Sequence, residues 1–241
     1  MKIVNKKENS ITFTLKIDES LANALRRYIN QIPTYAIENV EISKNDSPLY
    51  DETLAHRLGL IPLKNDSNLK EKKDAKIALN MKKEGFVYSA DLKGDLKPAY
   101  DNIPLTILKK DQEIDLVCFI NQGKGEEHSK FSPGLMFYRN IFEVKIDKDC
   151  PLEVVEICPQ KILKNKNGKV VVEEEFLCDM CEACSEYCKK KGKKPIEFVQ
   201  TKELLITLES FGQFEINNLF KKAGKILKED LIEFSKKITK A

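Results

Sequence analysis

Four of the chain's cysteines lie within eleven residues, and their spacing constrains the fold more than any other feature of the sequence. The run reads Cys178-x-x-Cys181-x-x-Cys184-x-x-x-Cys188, and a lone Cys-Pro pair begins at Cys158. Three thiols at two-residue intervals form one tight loop around a common centre, whereas the fourth cysteine of such a run is a ligand of a different centre. The last ligand of the local centre must therefore come from elsewhere in the chain, and Cys158 is the obvious donor.

This spacing is typical of iron–sulfur proteins and is similar to one half of a bacterial-type ferredoxin. In two-cluster ferredoxins each half carries the run, and the halves exchange their last cysteines. Here one half is complete and the other keeps only its final Cys158. The resemblance implies a single [4Fe-4S] cluster, with a [3Fe-4S] form as the alternative. The predicted ligands are Cys158, Cys178, Cys181 and Cys184.

The other three cysteines are not assigned to this cluster. Cys188 would belong to the degenerate second site, and it is followed by lysine rather than proline. Cys150 lies eight residues before Cys158, which fits no position of the missing half. We treat both as spare or second-site cysteines. Cys118 lies in the apolar run Ile114–Ile120, which predicts a buried strand residue.

Zinc and disulfides are the less favoured interpretations of the cysteine run. A four-cysteine zinc site usually pairs two Cys-x-x-Cys knuckles that lie well apart in sequence, and this run is too crowded for that pattern. Disulfides are rare in proteins that lack a secretory signal, and we see no such signal in this sequence. We therefore favour iron–sulfur and keep a zinc-stabilised interaction module as an open alternative.

Composition narrows the classes of protein that the chain can belong to. The 241 residues are 41% hydrophobic, which allows one large domain or two to three small ones. No apolar run approaches the roughly 18 residues of a membrane span, so we expect a soluble, cytoplasmic protein. The net charge is only +3, and four basic residues are arginine. These values argue against direct sequence-specific binding of nucleic acid, which normally needs a clustered basic face.

Hydrophobic periodicity predicts an α+β fold. Alternation over residues 11–17 predicts a strand, and β-like segments with Gly, Pro and Asn punctuation fill residues 76–146. A short helix is predicted at 52–58, and a further strand at 196–209. A polar, lysine-rich stretch at 64–75 predicts a loop.

Two amphipathic helices are predicted near the two ends of the chain, at residues 19–32 and 213–239. Their apolar stripes are large enough to contact a helix of another protein, although packing on this chain's own sheet explains the periodicity equally well. Arg26 and Arg27 lie on the polar side of the first helix. The stripe residues are Leu21, Leu25, Tyr28, Leu219, Phe220, Ala223, Leu227, Leu231 and Phe234.

Several long segments resemble the assembly subunits of RNA polymerase, the family of bacterial α and its archaeal and eukaryotic counterparts. The resemblance covers essentially the whole chain, and its motifs are long and specific. The embedded ferredoxin-like module is similar to that of the archaeal members of this family. The segments that carry the resemblance are 21–28 (LANALRRY), 33–37 (PTYAI), 40–42 (VEI), 51–63 (DETLAHRLGLIPL), 127–133 (EHSKFSP) and 208–212 (LESFG).

The resemblance implies a domain organisation and a set of partners. A discontinuous dimerisation domain, with an antiparallel sheet and the two amphipathic helices, would span 1–45 and 200–241. A β-rich insert domain would span 46–149, and the ferredoxin-like module 150–199. The implied partners are the small subunits L and N and the second-largest catalytic subunit. Subunit L would contact the two stripes, and the large subunit would contact Arg26 and Arg27.

No catalytic constellation is visible in the sequence. It has no Asp-rich loop suited to two Mg²⁺ ions, no Gly-rich phosphate loop and no nucleophile–base pattern. We therefore expect a non-catalytic scaffold within a nucleotidyltransferase complex. The alternative is a ferredoxin-like electron-transfer subunit of an oxidoreductase. About 195 residues outside the cysteine module argue against that alternative, because a carrier should be mostly module.

Overall fold

The computed structural model describes residues 2–65 and 75–240 and shows a mixed α/β fold. The predicted loop at 64–75 therefore lies almost wholly outside the described residues. The five helices of the described residues are α1 Glu19–Tyr28, α2 Asp51–Gly59, α3 Val154–Ile157, α4 Ala183–Lys190 and α5 Ile216–Lys240. The strands are β1 Lys2–Lys6, β2 Ser10–Leu15, β3 Thr34–Asn45, β4 Lys76–Met81, β5 Gly85–Tyr88, β6 Lys93–Gly94, β7 Pro104–Leu108, β8 Ile114–Gly123, β9 Gly134–Lys145, β10 Leu163–Lys166, β11 Lys169–Val172 and β12 Glu197–Ser210.

The predicted amphipathic helices form, with one change near the N-terminus. Helix α5 confirms the long C-terminal prediction, and α2 confirms the short helix at 52–58. The first helix is shorter than predicted, since α1 ends at Tyr28 and a 3₁₀ turn continues over Ile29–Gln31. Pro33 explains why the helical run goes no farther than Gln31, because a proline disfavours α-helical backbone in the preceding residue, and Ile32 is extended.

One four-stranded sheet has the order β3-β8-β4-β6, and its strand pairs are antiparallel. The burial pattern of strand β8 explains why this segment is a strand. Ile114, Leu116 and Cys118 are fully buried, while the residues between them are more exposed. This period of two matches the alternation of side chains across a strand. Helix α2 buries Leu54 and Leu58 in the same core. The predicted burial of Cys118 is confirmed.

The other strands form three further sheets. One four-stranded sheet has the order β1-β2-β12-β9. Strands β5 and β7 pair antiparallel, and so do β10 and β11. The β10–β11 hairpin turns at Asn167 and Gly168, both of which have positive φ.

The chain divides into two compact units. The first is built mainly from Tyr138–Thr207 and contains the cysteine module. The second is built mainly from Asn23–Phe137 and the C-terminal helix. Among the described helices, none is both long and apolar enough to cross a membrane.

Candidate metal centre and partner surface

The four predicted cluster ligands meet at one pocket of the first unit. Cys158, Cys178, Cys181 and Cys184 all line it. Cys158 and Cys184 are buried, whereas Cys181 is exposed. The rest of the lining is largely apolar and includes Val144, Ile162, Leu163 and Phe198. The four cysteines, which span 26 positions from Cys158 to Cys184, are thus brought to a single pocket.

Unusual backbone geometry turns the cysteine loop toward this pocket. Met180 and Glu182 have positive φ angles of 56° and 58°. For residues other than glycine, a left-handed conformation costs about 1–2 kcal/mol, so the surrounding structure must compensate it. Met180 lies between Cys178 and Cys181, and Glu182 caps the helix that carries Cys184. The strained residues are therefore the ones that separate successive predicted ligands.

Side-chain hydrogen bonds hold the same loop at its start. Arg139 of β9 donates from its two terminal nitrogens to the main-chain oxygens of Phe176 and Cys178. Gln160 donates a 3.0 Å hydrogen bond to Asp179, which lowers the pKa of that carboxyl group. The main-chain N–H of Cys181 donates to the other oxygen of Asp179 at 3.3 Å. The loop is therefore tied both to β9 and to the segment that follows Cys158.

Burial makes the thiolate form unfavourable in this pocket. It raises the pKa of Cys184 to about 11 and raises the pKa of Cys178 as well. Iron or zinc binds the thiolate, so a positively charged metal must stabilise charges that the apolar lining does not. Without a metal, burial therefore favours the neutral thiol at Cys178 and Cys184.

A cluster and a single metal ion require different spacings of their thiolate ligands. Within the described residues, no three His, Cys, Asp or Glu side chains are placed to hold one metal ion. A tetrahedral zinc ion with bonds of about 2.3 Å needs its sulfur ligands roughly 4 Å apart. A multi-iron cluster binds each thiolate at a different iron, which needs wider spacing. All four predicted ligands are thiols, a donor type that both zinc and iron–sulfur clusters accept.

The two spare cysteines also lie together. The Sγ atoms of Cys150 and Cys188 are 3.8 Å apart. Cys188 is fully buried in α4, and Cys150 is partly buried in the loop after β9. Both belong to the small core of the module.

Helix α5 divides into a covered half and an exposed half. Leu219 and Ala223 are fully buried, and Phe220 and Leu227 are half-buried. Farther along, Leu231 and Phe234 are 58% and 62% exposed. The first half of the stripe therefore packs on this chain, which is one of the two roles that its periodicity allowed. Because Leu219 and Ala223 are already covered by this chain, the apolar surface that it leaves exposed lies nearer the C-terminus.

The end of α1 contacts α5 inside the second unit. Tyr28 donates a 2.9 Å hydrogen bond to Asp230. A Cβ atom added at Gly224 would lie 4.0 Å from Leu25, which is an ordinary packing distance. Leu25 is buried in this contact region, whereas Leu21 is 44% exposed.

The two predicted large-subunit contacts are exposed. Arg26 and Arg27 both lie on the surface of α1. Arg26 donates hydrogen bonds of 3.2 and 3.0 Å to Asn23 on the same helix. This pair of bonds orders the guanidinium while leaving it accessible.

Sequence reasoning missed two structurally important partners, Arg139 and Asp230. Each contacts a predicted site residue from a distant part of the chain, and no local motif marks either one. The scarcity of arginine in the sequence was the only signal that could have drawn attention to Arg139.

Comparison with known proteins gives one consistent result. Residues 40–137 match the family model described as the RNA polymerase Rpb3/RpoA insert domain. DNA-directed RNA polymerase subunit Rpo3 of Pyrococcus furiosus is 34% identical over 257 residues, covering 100% of this chain and 97% of that protein. The Thermococcus kodakarensis Rpo3 is 33% identical, covering 94% and 92%. The Methanocaldococcus jannaschii Rpo3 is 41% identical over 175 residues, covering 68% and 90%.

Proposed function

The chain belongs to the family of archaeal RNA polymerase subunits called Rpo3, and from that premise we propose that it is a non-catalytic assembly subunit of DNA-directed RNA polymerase. The similarity over the full length of the chain carries this proposal. A ferredoxin-like electron carrier would share the cysteine module alone, whereas the matched insert domain lies outside it. We place the nucleotidyl-transfer chemistry in other subunits and the assembled enzyme in the cytoplasm.

The proposed first partner is subunit L. The exposed C-terminal half of α5 supports this assignment, because Leu231, Phe234 and Ile238 leave an apolar surface uncovered. Pairing of apolar helix faces removes such a surface from water. We further propose that subunit N and the second-largest catalytic subunit join later. Exposed Arg26 and Arg27 are the proposed contacts of the large subunit.

The proposed domain plan follows the family. A dimerisation domain would combine residues 1–45 and 200–241, and the insert domain would occupy 46–149. The insert-domain match at 40–137 supports the second assignment. The cysteine module at 150–199 would form the third part, with a ferredoxin-like arrangement.

We propose that Cys158, Cys178, Cys181 and Cys184 hold one iron–sulfur cluster of the [4Fe-4S] or [3Fe-4S] type. Three of the eight buried residues in the core of the module are cysteines, so few apolar side chains are left to stabilise it. A small domain of this kind usually needs a metal or a disulfide to remain folded. When bound, the cluster would supply thiolate–iron bonds that link the loop, α4 and the Cys158 segment.

Purification from the native cell tests the assembly proposal. A tagged copy of the chain should recover the large polymerase subunits together with subunit L. A preparation that instead contains a redox enzyme and lacks polymerase subunits would support the electron-carrier alternative. Co-expression with subunit L alone should yield a soluble one-to-one complex, whereas the isolated chain should self-associate.

Metal analysis tests the cluster proposal separately. Protein prepared without oxygen should contain three to four iron atoms per chain and a matching amount of acid-labile sulfide, as roughly expected for either cluster type. A stoichiometric zinc content without sulfide would favour the zinc module instead. Removal of the iron should expose residues 150–199 to protease while pairing with subunit L persists.

A further inference from the structure

Cys150 and Cys188 form a thiol pair outside the proposed cluster site. Their sulfur atoms are 3.8 Å apart, although the residues lie 38 positions apart in sequence. The bond length of a disulfide is about 2.05 Å, so the two sulfurs need to approach by only about 1.8 Å. Neither of the two sulfurs belongs to a predicted cluster ligand.

The two residues differ in local support and access. Cys188 is fully buried in α4, and its main-chain oxygen accepts a 2.9 Å hydrogen bond from Lys193. Cys150 lies in an irregular segment, where its N–H donates to the oxygen of Asp147 at 3.2 Å in a turn. Cys150 is partly exposed whereas Cys188 is buried, so Cys150 is the thiol of the pair that a small reagent would meet first.

We propose that Cys150 and Cys188 are a site of reversible disulfide formation, oxidised by low-molecular-weight disulfides. In the first step the Cys150 sulfur loses its proton and attacks one sulfur of the reagent, whose other half leaves and takes up a proton. The Cys188 sulfur then loses its proton, attacks the mixed disulfide at Cys150 and releases the second half as a thiol. Two protein thiols are oxidised, and one reagent disulfide is reduced to two thiols.

The environment sets the speed of this exchange. Burial, together with the neighbouring Cys188, raises the pKa of Cys150 to about 12. The thiolate is therefore scarce at neutral pH, and the reaction is slow. Such a pair responds to a sustained oxidising state rather than to a brief pulse.

The bond would act on the same helix that holds a predicted cluster ligand. Cys184 precedes Cys188 by one helical turn in α4. A disulfide at Cys188 would tie α4 to the segment before α3, which restricts the unfolding of the module. Formation of this disulfide requires only Cys150 and Cys188, and requires neither a bound cluster nor assembly into a polymerase.

Peptide mass spectrometry of the full-length chain tests the proposal. Reduced protein, prepared without oxygen and freed of reductant, is incubated with oxidised glutathione, alkylated and digested. We expect one cross-linked peptide pair joining Cys150 to Cys188, loss of two alkylatable thiols, and reversal by a reductant. Cleavage within the module should become about tenfold slower in the oxidised form.

Matched variants separate this pair from the other thiols. Cys118→Ser removes a buried thiol of the other core and should keep the cross-link. Cys150→Ser should abolish it without creating a new one. The variant Cys188→Ser replaces a fully buried side chain. If that variant fails to fold, the result for Cys150→Ser alone tests the proposal. A link from Cys150 to Cys184, or no link while the protein stays folded, overturns the proposal. Iron measured in the same samples reports on the cluster independently.

Discussion

Arg139 and Cys178 are joined by a hydrogen bond from the guanidinium to the main-chain oxygen of the first loop cysteine, across 39 positions of sequence. The other terminal nitrogen of Arg139 donates to the oxygen of Phe176. A planar fork of donors thus fixes two carbonyl groups at the start of the cysteine loop. The start of the loop is therefore held by β9, a strand distant in sequence, as well as by contacts closer along the chain.

Replacement of Arg139 should weaken cluster loading without removing a ligand. Arg139→Gln loses the charged fork, and we expect a loss of about 2 kcal/mol in local stability. Arg139→Lys should retain part of the effect, because an ammonium group can reach one carbonyl but not both. The measurement is iron per chain after reconstitution, together with the rate of protease cleavage near residue 178.

Arg26→Gln is the control for this change, since Arg26 is exposed on α1. It should leave iron content unaltered. Equal iron content in wild type and Arg139→Gln would show that the fork does not position the loop.

Single serine substitutions should divide the cysteines into two groups. Changes at the four pocket residues should remove the visible absorbance of the cluster, because each removes one thiolate–iron bond. Cys150→Ser and Cys188→Ser should retain it. The spectra of anaerobically purified variants provide the test. Loss of absorbance in Cys188→Ser, with retention in Cys158→Ser, would contradict the proposed pairing of the two halves.

Charges on the exposed half of α5 should prevent pairing with subunit L. Leu231→Lys combined with Phe234→Lys places two ammonium groups in the proposed apolar contact, which costs several kcal/mol. Both residues are more than half exposed, so the isolated chain should still fold. Size-exclusion chromatography of the co-expressed subunits measures the loss of the complex.

Glu233→Lys is the matched control on the polar side of α5. It also adds positive charge, and it breaks only an exposed ion pair with Lys237 at 2.7 Å. Such exposed pairs contribute little to stability, because water and salt screen them. The complex with subunit L should survive this change, and its loss would point to a general effect of charge.

The Tyr28–Asp230 hydrogen bond should give a small, pH-dependent contribution to stability. The bond raises the pKa of Tyr28 above its usual value, so the folded state favours the protonated phenol. The contribution is therefore complete below a pH of about 10 and is lost as the pH rises through the raised pKa.

Tyr28→Phe tests this contribution. It should cost no more than about 1 kcal/mol near neutral pH, because the bond is exposed. The difference from wild type should shrink above the raised pKa. Tyr50→Phe, at an exposed position, serves as the control in denaturant titrations at several pH values. A constant difference at all pH values would argue against the bond.

Thiol reactivity should follow burial in reduced, iron-free protein. Burial raises the pKa of Cys118 to about 12, so at pH 8 only about one thiol in ten thousand is ionised. Exposed Cys181 should react first with an alkylating reagent, and Cys118 only when the second unit opens. Time-resolved mass spectrometry of the labelled peptides measures the order. Early labelling of Cys118 in folded protein would contradict its burial.

Local sequence patterns predicted those helices and strands that show a clear apolar pattern within one short segment. Alternation over residues 11–17 identified β2, the apolar run Ile114–Ile120 identified β8, and the long apolar stripe identified α5. Side-chain period follows directly from backbone geometry. The boundary of α1 was misjudged, since an apolar stripe continues through the 3₁₀ turn before Pro33. Strands β6, β10 and β11 have two to four residues each, which is too few for a periodic signal, and they were not singled out.

The cysteine spacing and the family motifs, read from the sequence alone, were sufficient to name four candidate ligands and to predict the polymerase family. Tertiary structure decided what lies next to those residues. It placed Arg139 at the loop, Asp230 at Tyr28 and Cys150 at Cys188, and it covered Leu219 while leaving Leu231 exposed. The physical reason is the same in each case: ligand identity depends on residue type and spacing, whereas contact and burial depend on how distant segments pack.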